Sequence, residues 1–467
     1  MKVYSFSRGG IDLHDRCAPP KDRSVLSFLP GISVIPMIQH NGVHAFPVVS
    51  IGDHVEEGEL IGRGQGAGSA NIHSPVPGNV IQMVNWKLPE KITNAAVVIR
   101  LDGAFGLLGK GGKEYPWQNL SAFELRALMA EKGVIEMDGS GRPLSAVFPG
   151  VAAGVSESTL VLRCVFDDPW LAADYCLCTE RPEAVAEGAC IAAKAAGVQH
   201  ICFAVSSDET QLASRIIECM QPFDVQPEIV PVNRRYPQRY KTELTRSMRL
   251  YEKRENKVLG SLIFLGPSTL AAIYDAVKLR KPVLDRYVAV GGSAVKKPRV
   301  LKARIGTRIA DVFKECGGYT NQPKRIAVGS PMISRAVFST DEPIIKTTYA
   351  VFAVAKEGFS HRTGFFDNAY VFDLRSGGRM PGKKIGKFEF TGRYVTAKHC
   401  INCGECREVC PAGLDPEDIY KNIHERKHGL SVASLVMRCH GCGCCEAVCP
   451  SNLPLCTAIM NPAFKGD

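Results

Sequence analysis

The sequence has no apolar run long enough to cross a membrane and no secretory leader at its start. No window reaches the roughly 18 uninterrupted apolar residues that a spanning helix needs, although 45% of the 467 residues are hydrophobic. The first eight residues, MKVYSFSR, lack the apolar core of a signal peptide. We therefore expect a chain that stays in the cytoplasm.

A disulfide scaffold is also absent. Eight of the 18 cysteines fall in two tight groups near the C-terminus, and the other ten are mostly scattered. A secreted disulfide protein would be short and rich in cysteine throughout. We interpret the scattered cysteines as small buried side chains in a reducing compartment. They are Cys17, Cys164, Cys176, Cys178, Cys190, Cys202, Cys219, Cys316, Cys444 and Cys456.

Acidic residues are scarce between positions 375 and 398, where Glu389 stands against seven lysines and arginines. One interpretation is a solvated linker. The other is a docking surface for an acidic partner, with Lys383, Lys384, Lys387 and Arg393 as the docking residues. Nucleic acid is a poorer candidate partner, because no recognition motif accompanies the charge.

The two cysteine groups share the spacing C-x2-C-x2-C-x3-C-P, which is that of bacterial two-cluster ferredoxins. In this arrangement the fourth cysteine of each run binds the other cluster. Zinc ribbons use two C-x2-C pairs instead, so the pattern favours 4Fe–4S clusters over zinc. The predicted ligands are Cys400, Cys403, Cys406 and Cys449 for cluster 1, and Cys439, Cys442, Cys445 and Cys410 for cluster 2. Two such clusters predict an electron-transfer protein.

The N-terminal region, residues 1–95, consists of short strands and turns. Residues 48–62 and 72–80 form two strand–turn–strand units that resemble the barrel-sandwich hybrid of biotinyl and lipoyl carriers. Those carriers modify a lysine between the two units, whereas residues 63–71 contain no lysine. We therefore predict an architectural module without a carrier role.

The rest of the chain predicts a multidomain protein of α/β and α+β type, consistent with about three domains for this length. Apolar strands alternate with helices in residues 115–255, as in a Rossmann-like parallel α/β layer. Residues 256–330 resemble the β-grasp module called SLBB. Residues 331–395 are a mixed linker region, and residues 396–467 form the two-cluster ferredoxin-like helical domain.

Short motifs along nearly the whole chain occur in one characteristic order. They include Phe6–Ile11, Ile38–His40, His73–Gly78, Tyr236–Gln238, Ala272–Val277, Lys281-Pro282 and Gly329–Met332. Together with the terminal cluster domain they resemble the C subunit of the Rnf ion-translocating electron-transport complex. The resemblance implies a peripheral protein on the cytoplasmic face of the membrane. It also implies integral-membrane and iron–sulfur subunits, ferredoxin and a cytochrome as candidate partners.

The usual family member exchanges electrons with NAD through FMN, held by a loop of the form G-x-G-G-A-G-F-P-T in an α/β layer like the flavin subunit of complex I. The corresponding residues 133–144 carry Glu136 and Asp138 where glycine is expected, and Arg142 precedes the proline. Carboxylates repel a phosphate, and a side chain at a glycine position obstructs its close approach.

Two further family motifs are altered. Glu-Cys-Glu-Pro is replaced by Phe166–Pro169, and the glycines of Tyr-Pro-Gln-Gly-Gly are replaced by Arg239 and Tyr240. We therefore predict an iron–sulfur relay that has no catalytic residue of its own and binds neither FMN nor NAD. The alternatives are a flavin-dependent, NADH-linked reductase of the same architecture and an iron–sulfur scaffold without redox turnover.

Overall fold

The computed structural model describes residues 2–87, 93–106, 113–138, 140–148, 158–355, 370–373, 387–394, 399–424 and 430–460. Within these ranges, no helix is both long enough and apolar enough to cross a membrane. Short 3-10 turns punctuate the chain at Gly66–Gly68, Leu144–Ala146, Pro169–Leu171 and Gln221–Phe223.

The N-terminal segment runs across the other modules before it enters the barrel. Tyr4, Phe6 and Ile11 are buried, and Tyr4 and Ile11 bridge to Val232 and Tyr236 of the α/β layer. Two short strands follow, β1 (Asp12–Asp15) and β2 (Ser24–Leu26). The first residues are therefore held in place by apolar contacts with neighbouring modules.

The barrel consists of two small antiparallel sheets around an apolar core. Val55, Ile61 and Ile99 are among its fully buried residues. The sheet orders are β3-β9-β8-β5 and β4-β6-β7. The predicted boundary at residue 95 falls inside β9, which stays paired with β8 as far as Leu101. The strands are β3 (Ile32–Pro36), β4 (Phe46–Pro47), β5 (His54–Val55), β6 (Leu60–Arg63), β7 (Ile72–His73), β8 (Gly78–Lys87) and β9 (Thr93–Leu101).

The α/β layer has four parallel strands in the order β12-β11-β10-β13, as the alternation of strands and helices predicts. Its strands are β10 (Ser158–Cys164), β11 (His200–Ser206), β12 (Glu228–Val232) and β13 (Ser261–Leu265). Its helices are α1 (Ala122–Glu131), α2 (Ala172–Glu180), α3 (Pro182–Ala196), α4 (Thr210–Glu218), α5 (Lys241–Arg254) and α6 (Pro267–Lys278).

The α/β layer extends beyond its predicted end at residue 255. Strand β13 pairs with β10, and α6 packs closely on α3, where Gly188 lies against the Leu270 carbonyl. A side chain at position 188 would collide with that carbonyl, so the glycine allows the two helices to approach. Residues 261–278 therefore belong to the α/β layer and not to the β-grasp module.

The β-grasp module is a six-stranded sheet in the order β17-β16-β18-β14-β15-β2. The predicted mixed linker supplies β17 and β18. Strand β18 lies between β16 and β14, and all six of its residues are buried. This sheet therefore extends well past the predicted boundary at residue 330. Its elements are β14 (Asp285–Gly291), β15 (Arg299–Arg304), α7 (Ile309–Glu315), β16 (Pro323–Ser330), β17 (Ile333–Ala336) and β18 (Ala350–Ala355).

The last module is helical. Strands β19 (Tyr370–Asp373) and β20 (Lys387–Tyr394) precede it, and β20 pairs in parallel with β1. Helix α9 begins after Asp415, whose side chain accepts from the Asp418 amide as an N-cap. The helices are α8 (Glu405–Glu408), α9 (Pro416–His424), α10 (Leu430–Met437), α11 (Cys444–Ala447) and α12 (Leu455–Met460).

Candidate iron–sulfur centre and altered flavin loop

Two cysteine-lined cavities lie in the C-terminal module. Cys400, Cys403, Cys406 and Cys449 line one cavity. Cys410, Cys439, Cys442 and Cys445 line a second cavity. The structure thus brings together the same two sets that the crossed scheme predicts, with the last cysteine of each run beside the other run. Ligation by these thiols remains a prediction.

The two cavities suit a polynuclear group better than a single ion. Among the described residues, no three His, Cys, Asp or Glu side chains lie close enough together to hold one metal ion. A zinc ion would draw its thiolates to about 2.3 Å. Four thiols around an apolar space instead provide the donor chemistry that a 4Fe–4S cluster needs. Such a cluster would supply one-electron redox chemistry at these positions.

The two halves of the module have the same local backbone, with each position repeated 39 residues later, as Cys400 is by Cys439. Asn402 and Gly441 both adopt positive φ, at 54° and 63°. Their amides donate to the sulfurs of Cys400 and Cys439 at 3.4 and 3.5 Å. The repeated spacing therefore produces the same cage twice, and N–H···S bonds of this kind tune a cluster's potential.

The fourth cysteine of each run is also held by a backbone amide. The Leu414 amide donates to Cys410 Sγ at 3.3 Å, and the Leu453 amide donates to Cys449 Sγ at 3.5 Å. These bonds orient the two crossing thiols, each of which faces the cavity formed by the other run. The crossed arrangement is therefore supported on both sides by equivalent contacts.

The halves differ in their exposure to solvent. Cys403 in the cluster 1 cavity is exposed, and its neighbour Ile401 is 66% exposed. In the cluster 2 cavity, Cys410, Cys442 and Cys445 are buried. The cysteines around the cluster 1 cavity are therefore the more exposed set, and those around the cluster 2 cavity are the more buried set.

Cluster 2 is covered by the start of helix α5 and the loop before it. The Tyr236 hydroxyl donates to the Cys442 carbonyl at 2.7 Å and lies 3.0 Å from the Tyr240 hydroxyl. On α5, the fully buried Glu243 carboxylate lies 2.6 Å from His440 Nδ1. These polar contacts join the α/β layer to the loop that carries the cluster 2 cysteines.

The N-terminal segment closes the same side. The Gly10 amide donates to the Val409 carbonyl at 2.8 Å. Gly9 has φ +67°, and a Cβ there would lie 2.6 Å from the Cys410 carbonyl carbon. Glycine at position 9 is therefore required for this close approach. The predicted family motif around Gly9 thus has a structural role beside cluster 2.

Two cysteines outside the predicted ligand set also line the cluster 2 cavity, Cys444 and Cys456. Cys444 is fully buried among apolar residues beside Cys442, as expected of a packed neighbour. Cys456 belongs to the scattered cysteines of the sequence, because no spacing rule connects it to the cluster motifs. Its place at the cavity depends on the fold of α12.

Three amides of the altered flavin loop donate to protein acceptors. The Glu136 amide donates to the Arg142 carbonyl at 2.8 Å, and the Gly141 amide donates to the Glu136 carbonyl at 3.0 Å. The Met137 amide donates to Thr269 Oγ1 at 2.9 Å. A phosphate-binding loop needs amides that point at the anion without a protein acceptor.

The two unexpected carboxylates of this loop are paired with arginines. Glu136 accepts from Arg142 Nε at 2.8 Å, and its side chain is 6% exposed. Asp138 is buried and forms an ion pair with Arg163 of β10. Both carboxylates are therefore paired, Asp138 with a largely buried arginine and Glu136 with one that is 41% exposed.

Arg239 replaces a family glycine and extends this network. Its amide donates to Asp167 Oδ2 and its guanidinium to Asp174 Oδ2, both at 2.9 Å. Ser268 donates to the other oxygen of Asp174. Burial raises the pKa of Asp167 to about 7. The sequence indicates lost glycines, but the pairing of each new charge was not predictable from motifs.

The basic stretch cannot be placed as a docking surface. Lys383 and Lys384 lie outside the described residues, and only the backbone of Lys387 and Arg393 is described, within β20. Docking by these four residues remains a prediction.

The fold and the cysteine cavities define an iron–sulfur electron-transfer protein with a dicluster domain docked on an α/β layer. Four known domain families match successive parts of the chain. They are the RnfC barrel sandwich hybrid domain (residues 5–104), the Nuo51 FMN-binding domain (129–264), the SLBB domain (287–336) and the 4Fe-4S dicluster domain (393–450). The chain is RnfC-like in the identity and order of its domains.

Curated relatives span most of the chain. The C subunit of the ion-translocating oxidoreductase complex of Rhodobacter capsulatus is 29% identical over 433 residues, covering 90% of this chain and 76% of that protein. The C subunit of the Na(+)-translocating ferredoxin:NAD(+) oxidoreductase complex of Acetobacterium woodii is 25% identical, covering 84% and 81%. An NAD+-reducing nickel–iron hydrogenase structure is similar over 51% of this chain and 48% of that chain, with 16% identity and a TM-score of 0.42.

Proposed function

We propose that this chain is a peripheral iron–sulfur relay of an Rnf-type ion-translocating oxidoreductase, and that it transfers electrons without binding FMN or NAD. The inference that the chain binds neither FMN nor NAD rests on the buried network around Arg239. Relatives named as the C subunits of such complexes support the first part of the proposal. The two cavities, each lined by three cysteines of one run and the last cysteine of the other, support the relay role.

The altered loop argues against a flavin phosphate on both geometric and electrostatic grounds. Three loop amides already donate to protein acceptors. Glu136 and Asp138 stand at family glycine positions, and two arginines that could attract a phosphate, Arg142 and Arg163, are paired to them. Binding FMN phosphate would require breaking these ion pairs, and an unpaired buried charge costs several kcal/mol.

The contacts of Arg239 are also inconsistent with a bound flavin phosphate. A side chain at this glycine position occupies space, and its guanidinium is held by Asp174. It is thus not free to bind a phosphate in exchange for the lost glycine. The network can replace the contacts of a bound ligand, because buried charges are tolerated where they are paired and hydrogen-bonded.

The test is cofactor release from the purified chain. Denaturation should release no stoichiometric FMN, and the native chain should not oxidise NADH with an artificial acceptor. Reduced ferredoxin should still bleach the cluster absorption. A matched variant restores three glycines (Glu136→Gly, Asp138→Gly, Arg239→Gly), and it should bind added FMN more tightly than the natural chain. Stoichiometric FMN in the natural chain would refute this mechanism.

The second candidate function is a flavin-dependent, NADH-linked reductase of the same architecture. The match to the Nuo51 FMN-binding domain over residues 129–264 favours it. A flavin spectrum together with NADH-dependent reduction of both clusters would establish this alternative. A cluster spectrum without flavin, unaffected by added FMN, would favour the relay.

The proposed metal content is about eight irons and eight acid-labile sulfides per chain. The doubled ferredoxin spacing and the two cavities both lead to this number. Anaerobic purification followed by iron, sulfide and zinc analysis tests it. Two zincs without iron would overturn the cluster assignment.

The proposed partners are ferredoxin as donor and integral-membrane or iron–sulfur subunits, or a cytochrome, as acceptors on the cytoplasmic face of the membrane. If Lys383, Lys384, Lys387 and Arg393 dock an acidic ferredoxin, its reduction of the chain should slow as salt rises. Reversing the four charges should remove that salt dependence. An unchanged rate and salt slope would assign the stretch to another role.

A further inference from the structure

One pair of equivalent positions places different side chains against the two cluster cavities. Glu417 lines the cavity of cluster 1. Its counterpart 39 residues later, Cys456, lines the cavity of cluster 2. Both residues lie at the start of a helix, α9 or α12, in the same part of the repeated cage. The backbone is repeated here, but the chemistry facing the cluster is not.

Glu417 presents a carboxylate to cluster 1. The residue lines this cavity together with Cys406, a predicted ligand. The side chain is 14% exposed and pairs with Lys421 Nζ at 2.6 Å, and Lys421 itself is 46% exposed. The cation lies toward solvent, so it compensates the partly buried carboxylate only in part.

Cys456 presents a thiol to cluster 2. It is 9% exposed and lines the same cavity as Cys439 and Cys445. Both of those cysteines are predicted ligands and would be thiolates in a bound cluster. The Cys456 S–H would then be the donor, and a hydrogen bond to a ligand sulfur stabilises the reduced cluster.

We propose that Glu417 and Cys456 set the order of the two cluster potentials, with cluster 1 lower and cluster 2 higher. The inference rests on the proposed ligand sets. A negative charge beside a cluster opposes the gain of an electron, whereas an S–H donor favours it. A one-electron donor, such as reduced ferredoxin, would reduce exposed cluster 1. That electron then passes to cluster 2, and cluster 1 returns to its oxidised state.

Other charges near each cluster cavity also shift the potential of that cluster, and so the difference between the two. Partly buried Glu446 follows Cys445 in the chain and accepts from the Thr457 amide at 3.0 Å. Its counterpart in the first half is Arg407, which is paired with Asp415. On the α/β side, Glu243 contacts His440. None of these side chains changes in the substitutions below. Each shift in reduction potential therefore reports on position 417 or position 456 alone.

The test is a redox titration of the full-length chain followed by electron paramagnetic resonance. The natural chain should show two reduction waves. Glu417→Gln should move the lower wave to higher potential and leave the other in place. Cys456→Ala should move the higher wave to lower potential, so that each substitution brings the two waves closer. Cys456→Ser keeps a hydroxyl donor and should restore most of the separation.

Iron and sulfide analysis of every variant shows whether both clusters are present before the potentials are compared. Glu408→Gln is the matched control, since it removes an exposed carboxylate of α8 that does not line the cluster 1 cavity. It should shift neither wave appreciably. The proposal is overturned if Glu417→Gln and Cys456→Ala leave both waves in place, or if either moves the wave assigned to the other cluster.

Discussion

The two halves of the cluster domain have the same backbone and opposite surroundings. Positive φ recurs at Gly404 and Gly443, both at 76°, and the amide-to-sulfur bonds recur as well. Yet Cys403 is exposed in one half, while Cys442 is buried under Tyr236 in the other. The cysteine spacing determines the cage, and the neighbouring modules determine what each cage contacts.

This difference indicates how one repeated motif can serve two steps of electron transfer. An exposed cluster can exchange electrons with a diffusing partner, and a buried cluster can exchange them with its neighbour through protein. Burial also changes the energetics, because charge is less screened in the interior than at the surface. The asymmetry between the halves is therefore functional information that the motif alone does not contain.

The largest expected effect on the two halves comes from removing ligands in pairs. If ligation is crossed, Cys410→Ser combined with Cys439→Ser damages cluster 2 alone, and about four irons should remain. Cys410→Ser combined with Cys400→Ser should remove both clusters. Iron analysis and electron paramagnetic resonance distinguish the outcomes. Ligation within each run predicts the reverse, with both clusters lost in the first variant and one retained in the second.

An intermediate effect is expected from alanine at the paired glycines. Gly443→Ala would place a Cβ 2.6 Å from the Met332 carbonyl oxygen, whereas Gly404→Ala meets nothing within 4 Å. Both variants incur the positive-φ strain of about 1 kcal/mol, but only Gly443→Ala adds a backbone collision. Denaturant unfolding and iron release to a chelator should therefore be more sensitive in Gly443→Ala. Equal effects would mean that the contact with Met332 does not constrain cluster 2.

The smallest effect concerns the hydroxyl that joins the modules. Tyr236→Phe removes the 2.7 Å hydrogen bond to the buried Cys442 carbonyl. The cost should be about 1 kcal/mol, expressed as faster loss of cluster 2 in denaturant. The cluster 1 signal in the same sample is the internal control. Equal acceleration for both clusters would show that the bond stabilises the whole chain and not this contact in particular.

Local sequence signals account for where some elements begin and end. Helix α3 begins at Pro182 and ends before Gly197, which has φ +70°, because proline suits a first helical turn and glycine suits the left-handed cap. The parallel α/β layer followed from the alternation of apolar strands and helices. Boundaries between modules were less predictable, since β18 and β13 pair with strands distant in sequence.

The cysteine cages follow from the sequence alone, because ligand spacing, positive-φ glycines and helix caps act over a few residues. The departure of the flavin loop from its family is also readable there, because charge and bulk are properties of single residues. The tertiary structure was needed to establish which cage is buried, where Cys456 lies and how Asp138 and Arg239 are paired. Those outcomes depend on contacts between residues far apart in the chain, and no local pattern records them.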